Sequence, residues 1–484
     1  MRDLVRLAVG RARAAGASYA DARALVRRHQ AIHTKNGAPE GLSDSTEQGI
    51  GIRVIAEGAW GFASTASPRV EDTEAAADLA VRIARASARL SSHEVELAPL
   101  APVEAQWASE YKANPFEVSL EKKLALLLEA DKAMREAPGL RVATGEMNLV
   151  REEKWFASSD GADIAQTRVQ SGAGIQAMAE GDGEVQRRSY PGSFGGDNAN
   201  LGWEFIEAMD LPGNARRIAD EALALIKADQ CPSKVTALIL DGSQLALQVH
   251  ESCGHPTELD RVFGMERSFA GTSFLTTDKL GVFRYGSELV DLYADATIPG
   301  GLGSFGYDDE GVPAGRVDLV KDGIFKGYLS SRETAVRLGL ESGGAMRASG
   351  WNRVPIIRMT NVSLAPGPST LEKMISETDD GIYAVTNKSW SIDDQRLNFQ
   401  FATEIGWEIK NGQLGRMLRN ITYQGQTPEF WGSCDAIAGP EEWHVWGLLN
   451  CGKGEPMQVM WVGHGVAPAR FRGVRVGVGG EAET

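Results

Sequence analysis

The sequence predicts an α+β fold in two domains: an N-terminal antiparallel sheet with packed helices over residues 1–230, then a sheet-rich C-terminal domain over residues 231–484. Length is the first reason, because 484 residues exceed one ordinary hydrophobic core. Periodicity is the second: the first half alternates helical spacing of apolar residues with period-two runs. The third is the run of short strand-like segments in the second half, separated by turn signals such as YDDEG, VKDGIF and IKNGQL.

The chain opens on an amphipathic helix, with Leu4, Leu7, Ala8 and Ala12 on one side and Arg6 and Arg11 on the wet one. From Asp21 to Thr65 the pattern alternates and breaks at Gly and Pro, as antiparallel strands do. GIGIRVIAEGAWGFAST reads as strand, Glu-Gly turn, strand. Two helices follow, VEDTEAAADLAVRIARASARL and SLEKKLALLLEADKAMREA, each with apolar residues at helical spacing and a Ser or acidic start. Strand-like sequence returns between Val142 and Ile175, and the helix NARRIADEALALIKADQ closes the first domain near Gln230. After Pro232, VTALIL begins the second domain as a short buried strand. Seven of the eleven tryptophans lie beyond residue 350 and are expected to fill a core between sheets.

Composition narrows the function. Apolar residues make up 43% and charged residues 24%, which is ordinary globular content. The net charge of -15 repels phosphate backbones and argues against nucleic acid as a partner. No segment reaches the roughly 18 apolar residues of a spanning helix, and Arg6 and Arg11 interrupt the apolar run that a signal peptide needs. The expectation is a cytoplasmic protein with no membrane partner. Four cysteines, Cys231, Cys253, Cys434 and Cys451, contain no C-x-x-C pair and read as reduced thiols.

The chemistry concentrates in SQLALQVHESCGHPTELDRV, which follows a strand and begins as a helix. Neutral imidazoles at His250 and His255 are suited to hold zinc, and Glu251 beside the first is placed as a general base for water. The spacing departs from the common motif. Histidines four apart share a helical face, whereas five apart they diverge by roughly 140° on a regular helix. Both reach one ion only if the helix is distorted or ends at His255, and Gly254 and Pro256 flank that residue. The helix is therefore predicted to be irregular between His250 and Pro256. A third ligand is needed: Cys253 would crowd the site, and Cys434, Cys451, His444 and His464 are the distant candidates.

With YADARALV and GIGIRVIAEGAWGFAST in the first half, and HESCGH, GYDDEGVPAGRVDLVKDGIFKGYL, VPIIRMTNVSLAPG and CGKGEPMQVMWVGHG in the second, the chain resembles the TldD/PmbA metallopeptidase family, specifically its TldD branch, over roughly residues 18–478. Its HExxxH signature carries over to His250, Glu251 and His255, and its late cysteine ligand to Cys451. The resemblance implies a catalytic zinc (Zn2+) site in the C-terminal domain, with two imidazoles, one thiolate and an open fourth position, and Glu251 as catalytic base. It also implies a peptide or unfolded protein segment as substrate, bound as an added β-strand. The implied assembly is a dimer, either of two copies or with a metal-less TldE/PmbA-type paralogue. SWSIDDQRLNFQFATEIGWEIKNG departs from the family pattern, with Asp393 and Asp394 in place of a more glycine-rich segment, and leaves the substrate-binding residues unknown.

Two other readings share these residues. A zinc amidohydrolase such as a deformylase also combines Cys with two His and a Glu, but at four-residue His spacing. A catalytically weak peptide-binding partner would keep the same residues as a degenerate site. Outside the motif, Asp308, Asp309 and Glu310 read as solvated carboxylates of a turn, His464 as a turn residue and His444 as a packed side chain.

Overall fold

Long alternating runs build the first of two large sheets in this computed structural model, which describes residues 1–91, 93–268 and 271–477. Tyr19–Lys35, Ala38–Ala56 and Ala59–Thr65 meander antiparallel. They turn at Asn36-Gly37 and Glu57-Gly58, where all four residues have positive φ, the two-residue hairpin geometry that suits the strand twist. Leu140–Ser158 pairs beside Tyr19–Lys35, Ala162–Gly181 pairs beside that, and Val103–Ala108 joins the far edge in parallel.

Four helices cover one face of this sheet. Arg2–Ala14 and Val70–Ala88 bury Val5, Ala77 and Ala84 against Ala22, Ile52 and Val54. Leu120–Arg135 and Leu211–Lys227 bury Leu127, Met134 and Ile218 against Met147 and Ile175. Ser119 caps the third helix, accepting from the Lys122 N–H at 3.2 Å.

The second half centres on a closed ring of strands. Asp380–Ile392, Lys234–Leu240, Ala469–Val476, Ile421–Gln426 and Asn398–Lys410 neighbour one another in that order, and the last pairs back with the first. Leu238, Phe399, Phe401, Tyr423 and Phe471 belong to its core. The α-helix Gly242–Val249 leaves Lys234–Leu240 directly and buries Leu245 and Val249 in that core. It is pinned by the Tyr423 hydroxyl, which accepts from Gln244 Nε2 at 2.7 Å and donates to Gln248 Oε1 at 2.9 Å. A separate hairpin, His444–Lys453 with Gln458–Val466, packs on this helix and carries Cys451.

The fold is α+β, as the sequence predicts, with two departures. Of the late tryptophans only Trp431 is fully buried, while Trp390 is 36% exposed. Phenylalanines, tyrosines and aliphatic residues fill the core instead. Asp308, Asp309 and Glu310 are at most 2% exposed, against the expectation of a solvated turn. The reason lies on the other face of the first sheet, where Arg23, Arg53 and Lys154 meet the second half. Asp309 takes Lys154 Nζ at 2.6 Å and Arg23 at 3.3 Å, and Glu310 lies 3.3 Å from Arg53. No helix among the described residues is long and apolar enough to cross a membrane.

Removing one partner of such a buried network strands the others without compensation. Asp309→Ala is expected to destabilise the fold by about 3–5 kcal/mol, read as a lower urea midpoint, whereas a midpoint at the wild-type value would show that the network carries no stability.

Candidate metal centre

The helix Gly242–Val249 does not continue regularly into the motif. His250–Gly254 forms a π-helical turn in which the His255 N–H donates to the His250 carbonyl, and His255–Thr257 closes as a 3₁₀ turn. The predicted irregularity is therefore present. The i to i+5 hydrogen bond brings residue 255 back beside residue 250, so the two imidazoles meet edge to face with centroids 4.8 Å apart and planes at 87°. Local chemistry holds the wide turn. Trp431 Nε1 donates to Ser252 Oγ at 2.9 Å, and the Tyr285 hydroxyl donates to the Ser252 carbonyl at 2.8 Å. Gly254 permits close packing, since a Cβ there would lie 2.2 Å from Met359 Sδ.

Cys451 arrives from the late hairpin, and donor atoms of His250, His255 and Cys451 all lie within 4.8 Å of one another, buried. Cys451 Sγ is 3.8 Å from His255 Nε2. A sulfur and a nitrogen sharing one tetrahedral zinc are about 3.6 Å apart, given bonds of about 2.3 and 2.0 Å. The donor set and its spacing fit zinc.

Each imidazole is oriented through its other nitrogen. His464 Nδ1 lies 2.8 Å from the Val362 carbonyl, which only accepts, so Nδ1 carries the proton. Burial, then His250, lowers the His464 pKa far below its usual value and keeps the ring neutral. Its Nε2 therefore accepts from His250 Nδ1–H at 2.8 Å, which leaves His250 Nε2 as the nitrogen for a metal. His255 Nδ1 donates to Glu258 Oε2 at 2.9 Å, which frees His255 Nε2 in the same way. Glu258 is fully buried and has Lys453 Nζ at 3.3 Å; Lys453 in turn donates to Asp260 at 2.7 Å.

Electrostatics separate the four cysteines. Burial opposes ionisation of Cys451, but His250, Arg358 and His255 outweigh it and hold this thiol well below its ordinary range. Arg358 also donates to the Cys451 carbonyl, tying its backbone in place. Burial instead pushes Cys231 up to about 11 and Cys434 up to about 12, and it raises Cys253 as well. A buried thiolate is favoured at one position.

The remaining candidates fall elsewhere. Cys434 lies on the strand Cys434–Ile437. His444, expected to be packed, has a side chain 47% exposed and bonds Asp197 Oδ2 at 2.6 Å. His464, expected in a turn, sits fully buried on the strand Gln458–Val466 as the partner of His250. Glu251 lies 5% exposed beside His250 and pairs with Arg396 Nη1. Glu258, Lys453 and Arg396 are absent from the sequence-based candidates. Lys453 had a visible signal, since it stands two residues after Cys451 and strand alternation puts both on one face.

Comparison with known proteins follows the same lines. Residues 20–84, 113–228 and 233–477 match PmbA/TldA metallopeptidase domain 1, central domain and C-terminal domain, respectively. A metalloprotease of Methanocaldococcus jannaschii is 30% identical over 436 residues, covering 90% of this chain and 92% of that one. A zinc metalloprotease TldD homolog of Saccharolobus solfataricus is 26% identical over 195 residues, 39% of this chain and 41% of that one. The solved structure of TldE from Thermococcus kodakarensis shares the fold, with TM-score 0.73 and 18% identity over 98% of this chain and 99% of that one. With nearly its whole length matched and its fold shared, the chain belongs to the PmbA/TldA metallopeptidase family.

Proposed function

We propose that this chain is a zinc peptidase in which His250, His255 and Cys451 hold the metal and Glu251 is the general base. The observation that carries the reading is the convergence of those three buried donors beside a carboxylate that follows the first of them in sequence. Two imidazoles and one thiolate leave a tetrahedral ion one open position, which suits catalysis rather than a closed structural site. Bound there, zinc supplies Lewis acidity toward water and the scissile carbonyl. Glu251 takes the proton from the attacking water and passes it to the leaving amine nitrogen. His464 and Glu258 hold the two imidazoles in the tautomer whose Nε2 is free.

The substrate is a peptide or unfolded segment laid in as an added strand. Support comes from the strand that bears Cys451, which has one sheet partner, Gln458–Val466, among the described residues. The assembly is a dimer, of two copies or with a metal-less TldE-type paralogue, a reading supported by the shared fold of the TldE structure. A cytoplasmic location accords with four free cysteines. A two-domain division near residue 230 accords with two eight-stranded sheets drawn from either side of it.

Three outcomes test the site. Glu251→Gln should lower kcat on peptides by about 10²–10⁴-fold while retaining zinc; wild-type turnover would remove the general-base role. Cys451→Ala should lose most zinc on purification, and an unchanged metal content would assign the sulfur no ligand role. His464→Phe should weaken zinc binding by about 10–100-fold in competition with a chelator, and wild-type affinity would show that the His250–His464 contact does not orient the ligand.

A further inference from the structure

Glu251 has one ion-pair partner among the described residues, and it comes from 145 residues downstream: Nη1 of Arg396. Arg396 stands in the Asp393–Leu397 loop joining Asp380–Ile392 to Asn398–Lys410, within the stretch that departs from the family pattern. Its backbone is fixed on every side. Its N–H bonds the Asp393 carbonyl, its own carbonyl accepts from Thr427 Oγ1 at 2.9 Å, and Asp393 Oδ1 accepts from the Leu397 N–H at 2.8 Å. Thr272 and Phe274 donate to the carbonyls of Asp394 and Gln395, each at 3.0 Å. Arg396 holds φ 65°, a left-handed value that a residue of this kind adopts only when its surroundings dictate it.

The side chain has fewer partners than the backbone among the described residues. Among the described residues Glu251 is its single side-chain partner and Nε has none, and the side chain keeps 16% of its surface open. A fixed backbone therefore presents the Arg396 guanidinium to Glu251. A permanent pair would serve the reaction poorly, because the guanidinium occupies the carboxylate oxygen that has to meet water. The arrangement makes sense if the cation has a second place to go when substrate arrives.

We propose that Arg396 is a catalytic residue: parked on Glu251 in the free enzyme, its guanidinium donates to the carbonyl oxygen of the scissile peptide and stabilises the charge that oxygen gains. In the step it assists, the water oxygen bonds to the carbonyl carbon and the carbonyl π pair moves onto the oxygen facing Arg396. The water proton goes to Glu251. Collapse then breaks the C–N bond, and the proton leaves Glu251 for the amine nitrogen. Once shifted to the carbonyl of the bound peptide, the guanidinium meets the developing charge without further reorganisation in the chemical step.

The test uses the full-length zinc-loaded chain, a peptide found to be cut from a mixed-sequence library, and the phosphinic isostere of that peptide, a tetrahedral anion. Arg396→Met is expected to lower kcat by about 10²–10³-fold with little change in KM. It should weaken the phosphinic peptide by a similar factor and leave zinc content at the wild-type value, with any fall in melting temperature no larger than that of Glu251→Gln. Arg396→Lys, which keeps the charge but loses the planar fork, should restore part of both. Unchanged kcat and phosphinic affinity would overturn the proposal, as would losses that follow zinc content or melting temperature. Poor cleavage with normal phosphinic binding would also overturn it, because Arg396 would then only orient Glu251. The proposal rests on the peptidase reading above, and Glu251→Gln in the same assay separates the two. A fully active Glu251→Gln chain removes that reading, whereas an inactive one beside a normal Arg396→Met removes Arg396 alone.

Discussion

Cys451, His250 and His255 are each 3% exposed, so any charge they carry has to be balanced inside the protein rather than by water. The structure meets this constraint in successive layers. Arg358 stands against Cys451, Glu258 against His255, Lys453 against Glu258, and Asp260 against Lys453. His250 is matched differently, through a neutral ring and a backbone carbonyl. These residues come from the broken helix, from the segment around residues 358–362 and from the late hairpin. The donors converge only when the strand ring has closed and the hairpin has docked, so the site depends on the complete second half.

The contact between the two halves obeys the same rule. The first sheet turns an apolar face to its helices and a charged face to the second half, where Asp309 and Glu310 pair with its cations. This explains what local sequence can and cannot convey. Helical spacing and a Ser N-cap are local, so SLEKKLALLLEADKAMREA reads as a helix and forms one over Leu120–Arg135. Alternation is local too, but it reports only that two faces differ. Whether Arg23 and Lys154 face water or carboxylates is decided by a turn more than 150 residues away. The same limit hides the strand pair Asp380–Ile392 and Asn398–Lys410: much of it is buried on both faces, which erases the period-two signal.

Within the site, legibility follows sequence distance. His250, Glu251 and His255 stand in one stretch and are readable from residue types alone. Cys451, 196 residues beyond His255, is one of several candidates until a family resemblance selects it. His464 and Arg396 lie 214 and 145 residues from their partners, and nothing near them in the chain states what they meet. Each is a single polar residue whose meaning is supplied by tertiary contact.

The five-residue spacing, at first sight a defect in the motif, accounts for several of these features together. In a regular helix, histidines four apart would share a face and the chain could run on as a helix beyond them. Here the π turn absorbs one more residue between them, and Pro256 prevents the ladder from continuing. The 3₁₀ turn that follows brings Glu258, three residues on, back to Nδ1 of His255. One interrupted helix thus supplies two ligand candidates, the proposed base beside the first and the carboxylate that bonds the second. The cation for that carboxylate comes from Lys453, on the strand that also delivers Cys451. The irregularity is what lets a short segment carry the candidate ligands, the proposed base and the carboxylate on His255 at once.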